Sequence, residues 1–283
     1  MAINWFPGHM AKAIRELKEY VKTVDVIIEI RDARIITSSA NPEIDTISEN
    51  KAKIILLNKW DLSESTVTKN WVTFLSNSNV IALPVNSITG EGLKLIKPAI
   101  DTLLQEKIQR QKNKGLVKIV TRAMILGIPN VGKSSFINKI SQSSIAKTGN
   151  KPGVTKNRQW IKTKLGLELL DTPGILYPKL HDQNIAVNLA LTGAIKDEIM
   201  DIQELAIKLL EKLSVFYAKN IMQRYNMESL PSEHTSILEE IAKKRGCLML
   251  GGNVDFERVS RLLIDEFRAG KLGRISLERP EQI

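Results

Sequence analysis

Nine residues constrain the fold of this chain more than any other stretch: Gly127-Ile128-Pro129-Asn130-Val131-Gly132-Lys133-Ser134-Ser135. They match the pattern G-x-x-x-x-G-K-[ST]. The apolar run 123–126 precedes them, and residues 135–140 read as the start of a helix. A strand, a glycine loop and a helix N-terminus in that order form a cradle for phosphate. Backbone N–H groups of Asn130, Val131, Gly132 and Ser135 line it, and the helix dipole adds positive field. Gly127 and Gly132 let phosphate oxygens approach the backbone. Lys133 is placed to reach β- and γ-phosphates, and the Ser134 hydroxyl to ligate Mg²⁺. A chance glycine turn is the plain alternative, and the flanking strand and helix weigh against it. The loop alone fits ATP or GTP, and a kinase, an ATPase or a switch.

The rest of the N-terminal part supplies a sheet. Short apolar runs at 24–30, 53–57, 80–85 and 117–126 are separated by helical stretches, including 92–104. That alternation predicts an α/β fold, a mostly parallel sheet with helices on both faces. Residues 159–165 and 167–170 predict a hairpin turning at Gly166. Ahead of the first strand, Trp5-Phe6-Pro7-Gly8-His9-Met10 leads into a helical pattern over 10–21, which puts His9 at a helix N-terminus. Arg31-Asp32-Ala33-Arg34 follows the first strand at the end where ligands sit in such sheets. A basic stretch near 107–116 reads as a helix end running into a linker. Beyond Pro178 the pattern turns helical, with a cap expected at Ser232 or Glu233 and another at Asp255. The expected division is 1–178 for the α/β domain and 179–283 for a smaller all-α domain.

Asn58-Lys59-Trp60-Asp61, at the end of a buried strand, adds a base reader. The Asp61 carboxylate can accept from both N1–H and the exocyclic amine of guanine. Adenine offers neither, and would leave that carboxylate unpaired. Asn58 can bond N7 and tie loops together, and the stem of Lys59 can lie along the base or ribose. Asn86-Ser87, after the next strand, fits a loop whose N–H meets guanine O6. Asp171 is placed to hold Mg²⁺ through a water, Gly174 to offer its N–H to the γ-phosphate, and Thr155 to complete the metal shell. Thr-Pro-Gly at 172–174 is also an ordinary turn, so the joint occurrence of these segments carries the argument.

Guanine-nucleotide hydrolases normally run phosphate loop, switch threonine, Asp-x-x-Gly, Asn-Lys-x-Asp, then the serine-containing base loop. Here the last two come first. The chain resembles a circularly permuted P-loop GTPase, and with the Trp5–Met10 and Arg31–Arg34 segments it closely resembles the bacterial ribosome biogenesis GTPase A family. Specific motifs carry the resemblance from Trp5 to about Pro178, and layout alone carries it beyond. It implies a cytoplasmic factor that binds GTP and GDP with Mg²⁺ and hydrolyses GTP. It also implies action in late maturation of the large ribosomal subunit and contact with its ribosomal RNA. Ras-like enzymes place a water-orienting glutamine after Asp-x-x-Gly, where this chain has Ile175. The permutation brings the helix at His9 near that segment, and the resemblance points to the same histidine, so His9, Lys133 and Thr155 are the expected catalytic set. Related GTPases with asparagine at the Asn130 position can use K⁺ beside the phosphates.

Charge agrees with a polyanionic partner: the formal net charge is +10 over 283 residues. On the last helix Arg258, Arg261 and Arg268 share a face that Lys271 and Arg274 extend, and Lys243-Lys244-Arg245 adds a second basic cluster. Glu257 and Asp265 lie on the same face, so a solvated surface is an equal reading. The single cysteine, Cys247, allows neither an intrachain disulfide nor a thiolate cluster. No apolar run approaches the roughly 20 residues a membrane span needs, so no membrane partner is expected, nor DNA. A scaffold that binds RNA, with GTP as a stabilising ligand and turnover incidental, remains the rival from another class.

Overall fold

The structure, a computed structural model, describes residues 3–4, 15–48, 51–115, 120–141, 160–170, 179–180, 182–195 and 201–282. His9, Thr155 and the Asp171–Gly174 segment lie outside the described residues. The chain divides into two units, Met1–His181 with Glu278–Ile283, and Asp182–Leu277. The last six residues group with the α/β unit, where Glu278 bonds Ser38, Arg279 bonds Glu64 and Glu281 bonds Asn70.

In the first unit the elements are β1 (Ile3–Asn4), a helical run α1 over 15–21, β2 (Val26–Asp32), α2 (Pro42–Ile47) and β3 (Ala52–Asn58). There follow α3 (Ser65–Leu75), β4 (Val80–Val85), α4 (Ile96–Leu103), α5 (Gln105–Asn113), β5 (Thr121–Leu126) and α6 (Lys133–Ile140). The unit ends with β6 (Trp160–Lys162), β7 (Leu167–Leu170) and β8 (Lys179–Leu180). The expected helix at 92–104 opens as a tight 3₁₀ turn over Leu93–Leu95 and becomes α4 only at Ile96. The basic stretch read as running into a linker stays helical to Asn113. Residues 179–180 are extended and pair antiparallel with 3–4, ahead of the helical part.

Six strands form the main sheet in the order β4-β3-β2-β5-β7-β6. Only β6 runs antiparallel, against β7. The phosphate-loop strand β5 thus lies between β2, from near the start of the chain, and β7, from after the loop. Strands β2 and β3 are buried along their whole length, as apolar runs in a doubly covered sheet should be. Their charged members are paired. Arg31 grips the Glu29 carboxylate at 2.8 and 2.9 Å, and Lys53 bonds Asp45 and lies 3.9 Å from Glu29. Pairing of this kind is what makes burial of such side chains tolerable. On one face, Leu17 and Val21 of α1 pack with Ile44 and Ile47 of α2 over Ile27 and Met124. Further along, Val67 and Trp71 of α3 cover Ile55, Leu57 and Ala82. Parallel registry sets Asp32 beside Asn58, and Asn58 beside Val85, so three strand ends open onto one edge.

The second unit is all helical: α7 (Gln183–Leu191), α8 (Ile202–Phe216), α9 (Ala218–Tyr225), α10 (His234–Arg245) and α11 (Phe256–Arg268). Leu205, Leu209 and Leu213 of α8 share a core with Ile237 and Ile241 of α10 and Val259, Leu263 and Phe267 of α11. Asp182, Asp201 and Asp255 accept backbone N–H bonds as N-caps. Glu233 occupies the N-cap of α10 without a side-chain cap bond, and Gly246 ends that helix with φ +66°. Arg268 departs from the expected basic face: its guanidinium donates to the carbonyls of Ala190 and Leu191 at 2.8 and 3.1 Å, closing the end of α7. Arg245 is also turned inward, over the Tyr225 ring and 3.4 Å from Glu266. Burial would push the Glu266 carboxyl up, but hydrogen bonds from Arg224 and Tyr225 and the charges of Arg245 and Arg224 bring it below its ordinary range.

Candidate guanine-nucleotide site

Close approach of backbone explains both glycines of the phosphate loop. At Gly127, φ is +154° and a Cβ would stand 2.6 Å from the Ile30 carbonyl oxygen. At Gly132, φ is +100° and a Cβ would stand 2.3 Å from Asn58 Nδ2. Asn130 also takes positive φ, +61°, which asparagine tolerates better than most residues. Lys133 folds over the loop and donates to the carbonyls of Gly127 and Ile128 at 2.8 and 2.9 Å. Gly132 caps α6 without a side-chain bond, so no cap side chain claims the N–H groups of that first turn. Ser134 is exposed there and Ser135 half-buried. The uncapped first turn of α6, with the Lys133 ammonium folded over the loop, fits a phosphate group.

Asn58 stitches three segments together from the end of β3. Its amide donates to the Val131 carbonyl at 2.6 Å, while its Oδ1 accepts from both the Ser87 N–H at 3.0 Å and the Ser87 hydroxyl at 2.8 Å. Lys59 sits in a left-handed conformation, φ +60°, and leads into a 3₁₀ turn over Trp60–Leu62. Trp60 packs against the α3 cluster, and Asp61 is half-buried at the turn. Asn86 orders the neighbouring loop by accepting from the N–H groups of Ile88 and Thr89 at 2.8 and 3.0 Å. The structure thus brings Asn58, Lys59, Asn86, Ser87, Asn130, Val131, Gly132 and Lys133 to one edge of the sheet. Of the expected Mg²⁺ ligands, Ser134 is described; Thr155 and Asp171 are outside the described residues, as are His9 and Gly174. Among the described residues there is no cluster of three or more His, Cys, Asp or Glu placed to hold a metal ion.

Sequence reasoning noted Arg31–Arg34 but missed its work. Asp32 is 2 % exposed. Its carboxylate accepts from Arg34 Nε and Nη2 at 3.0 and 2.9 Å, and from Lys59 Nζ at 2.9 Å. Lys59 Nζ also donates to the Asn130 carbonyl at 2.8 Å. Burial alone would push the Asp32 carboxyl up. The charges of Arg34 and then Lys59, with their hydrogen bonds, outweigh it and hold the group well below the usual carboxylate range. Asp32 therefore fixes the lysine that joins the turn after β3 to the phosphate loop. The available signal was an Asp at a strand end flanked by arginines, which does not name its partner.

The family model described as "50S ribosome-binding GTPase" matches residues 122–244. "Ribosome biogenesis GTPase A" of Bacillus licheniformis is 47% identical over 283 residues, covering 100% of both chains. The solved GDP-bound TM YlqF superposes with a TM-score of 0.67 at 31% identity, covering 94% of this chain and 100% of that one. GNP-bound YlqF from T. maritima gives the same score and identity, covering 96% and 100%. Full-length identity of this order, on a sheet whose strand order places the late phosphate-loop strand β5 beside the early strand β2, leaves one conclusion: the chain belongs to the ribosome biogenesis GTPase A family.

Proposed function

We propose that this chain binds GTP and GDP and hydrolyses GTP, as a cytoplasmic assembly factor in late maturation of the large ribosomal subunit. The observation that carries the nucleotide reading is the Asn58 amide, which holds the base-reading strand end, the Ser87 loop and the phosphate loop in one construction. Support for the ribosomal target comes from family membership and from the relatives' names.

Within the proposed site, Asp61 accepts from guanine N1–H and the 2-amine, while the Ser87 N–H and hydroxyl are both given to Asn58 Oδ1, so that the Asn86–Ser87 loop acts by holding Asn58 beside the base. The first turn of α6 and Lys133 balance charge on the β- and γ-phosphates. Bound Mg²⁺, held by Ser134 and Thr155 and through water by Asp171, would neutralise the same oxygens. His9 orients the attacking water, since Ile175 has no group to do so. Asn130 offers an oxygen for K⁺ beside the phosphates. Turnover is slow alone and stimulated by the large subunit. The helical unit docks on ribosomal RNA through Lys243, Lys244, Arg258 and Arg261. Lys243 and Lys244 are exposed, as are Arg258 and Arg261, with Arg261 also paired to Glu257 at 3.0 Å.

The deciding measurement is GTP turnover alone, with small subunits and with large subunits, in K⁺ and in Na⁺ at fixed salt. Stimulation by the large subunit only is expected. Stimulation by neither would remove the ribosomal target. A GTP-bound, hydrolysis-dead form should stay trapped on its target. Normal function of that form would favour the RNA-binding scaffold instead.

A further inference from the structure

The chain leaves the α/β unit at His181 and returns to it at Glu278. What Glu278 does on return is specific. Its carboxylate accepts from the N–H of Thr37 at 2.6 Å, from the N–H of Ser38 at 3.1 Å, and from the Ser38 hydroxyl. Its own carbonyl accepts from Trp71 Nε1 at 3.2 Å, and Trp71 is buried among Ala33, Ile36 and Ile55. Arg279 adds an ion pair to Glu64 at 2.7 Å.

The turn that Glu278 grips is the one that presents Asp32. Ser39, next to Ser38, donates its hydroxyl to the Ile35 carbonyl at 2.6 Å and accepts from the Asp32 N–H at 3.0 Å. The N–H of Ser39 bonds the same Ile35 carbonyl at 2.8 Å, and the Ile35 N–H bonds the Asp32 carbonyl at 3.0 Å. On the other side, the Ala33 N–H donates to the Asn58 carbonyl at 2.8 Å. From Asp32 the contacts continue to Lys59, and from Lys59 to Asn130. Two N–H groups and a hydroxyl converging on one carboxylate form a strong, directional clamp, because charge-assisted hydrogen bonds are about twice as strong as neutral ones.

We propose that Glu278 is a positioning residue of the guanine-nucleotide site: it holds the 37–38 turn, so that Asp32 holds Lys59 and the Asp61 turn in register with the phosphate loop. The proposal rests on the nucleotide reading above. Glu278 touches no nucleotide in this scheme and acts only through the turn.

The test uses the full-length chain with Glu278→Ala, Glu278→Gln and Ser38→Ala. Release of a fluorescent GDP is measured by stopped flow, GDP and IDP affinities by competition, and the unfolding midpoint without nucleotide. IDP lacks the 2-amine that Asp61 accepts from, so the GDP-to-IDP ratio reports on that turn. For Glu278→Ala, GDP release about tenfold faster and a reduced GDP-to-IDP ratio are expected, with Glu278→Gln intermediate. Release within about twofold of the parent would overturn the proposal. So would equal weakening of GDP and IDP with a lowered midpoint, since that is the pattern of a merely structural residue. Should Glu278→Ala not fold, Glu278→Gln and Ser38→Ala decide by the same criteria. A parent protein that does not prefer GDP to ADP would instead overturn the site itself.

Discussion

The side-chain amide of Asn58 donates to the backbone carbonyl of Val131 at 2.6 Å, across 73 positions of sequence. In this permuted chain the base-reading motif precedes the phosphate loop, and this bond closes the gap. Replacing Asn58 with Ala leaves the Val131 carbonyl and the Ser87 donors without it. A loss of about 3 kcal/mol in urea unfolding is expected, together with GDP binding weakened at least about tenfold in a fluorescence titration. Asn58→Asp should not rescue, because it sets a carboxylate against a carbonyl.

Gly132→Ala tests the same seam from the other side. Its methyl would meet Asn58 Nδ2 at 2.3 Å, and φ of +100° suits glycine. Strain of about 1–3 kcal/mol is expected in chemical denaturation. The nucleotide should be lost before the fold is.

Asp32 makes a prediction about pH. Its folded carboxyl is held below its unfolded value by Arg34 and Lys59 against the opposing effect of burial. Through acid pH the unfolded state therefore binds more protons, and stability rises with pH. The contribution is complete above about pH 4 and is lost as pH falls below it. Asp32→Asn should flatten the acid limb of a stability–pH profile measured by urea melts. It should also cost about 3 kcal/mol at neutral pH, since Arg34 and Lys59 lose their partner. An unchanged acid limb would count against this assignment.

Arg268 is expected to matter for folding of the helical unit rather than for RNA. Arg268→Ala removes donors from the carbonyls of Ala190 and Leu191, a loss of about 2 kcal/mol in thermal or urea unfolding. Lys243→Ala with Lys244→Ala should leave stability within about 0.5 kcal/mol. That double variant should lower the salt dependence of RNA binding, which Arg268→Ala should not.

Much of the architecture is local and so was open to reading from the residues. Continuous apolar runs such as 53–57 must be buried on both faces, and a glycine loop between strand and helix must curl around its own N–H groups. Motif order alone showed the permutation, and the sheet order follows from it, because β2 and β7 each find the free edges of β5. Glu29 and Lys53 were less legible. A charge inside an apolar strand suggests a partner without saying which, and the partners here sit on other segments or two residues along the same strand.

By itself, then, the sequence determined the strands, the phosphate loop, the turn after β3 and the helical second unit. Each is dictated by backbone sterics, hydrogen-bonding groups and periodic burial within about twenty residues. The tertiary structure alone decided where the long side chains spend their charge. Arg268 closes a helix end instead of facing solvent, Asp32 captures Lys59, and Glu278 returns to a turn 240 positions earlier. Such choices depend on which carbonyls and N–H groups the packed chain leaves within 3 Å of a flexible side chain, as at the 2.9 Å Lys59–Asp32 bond. That outcome exists only once distant segments have met.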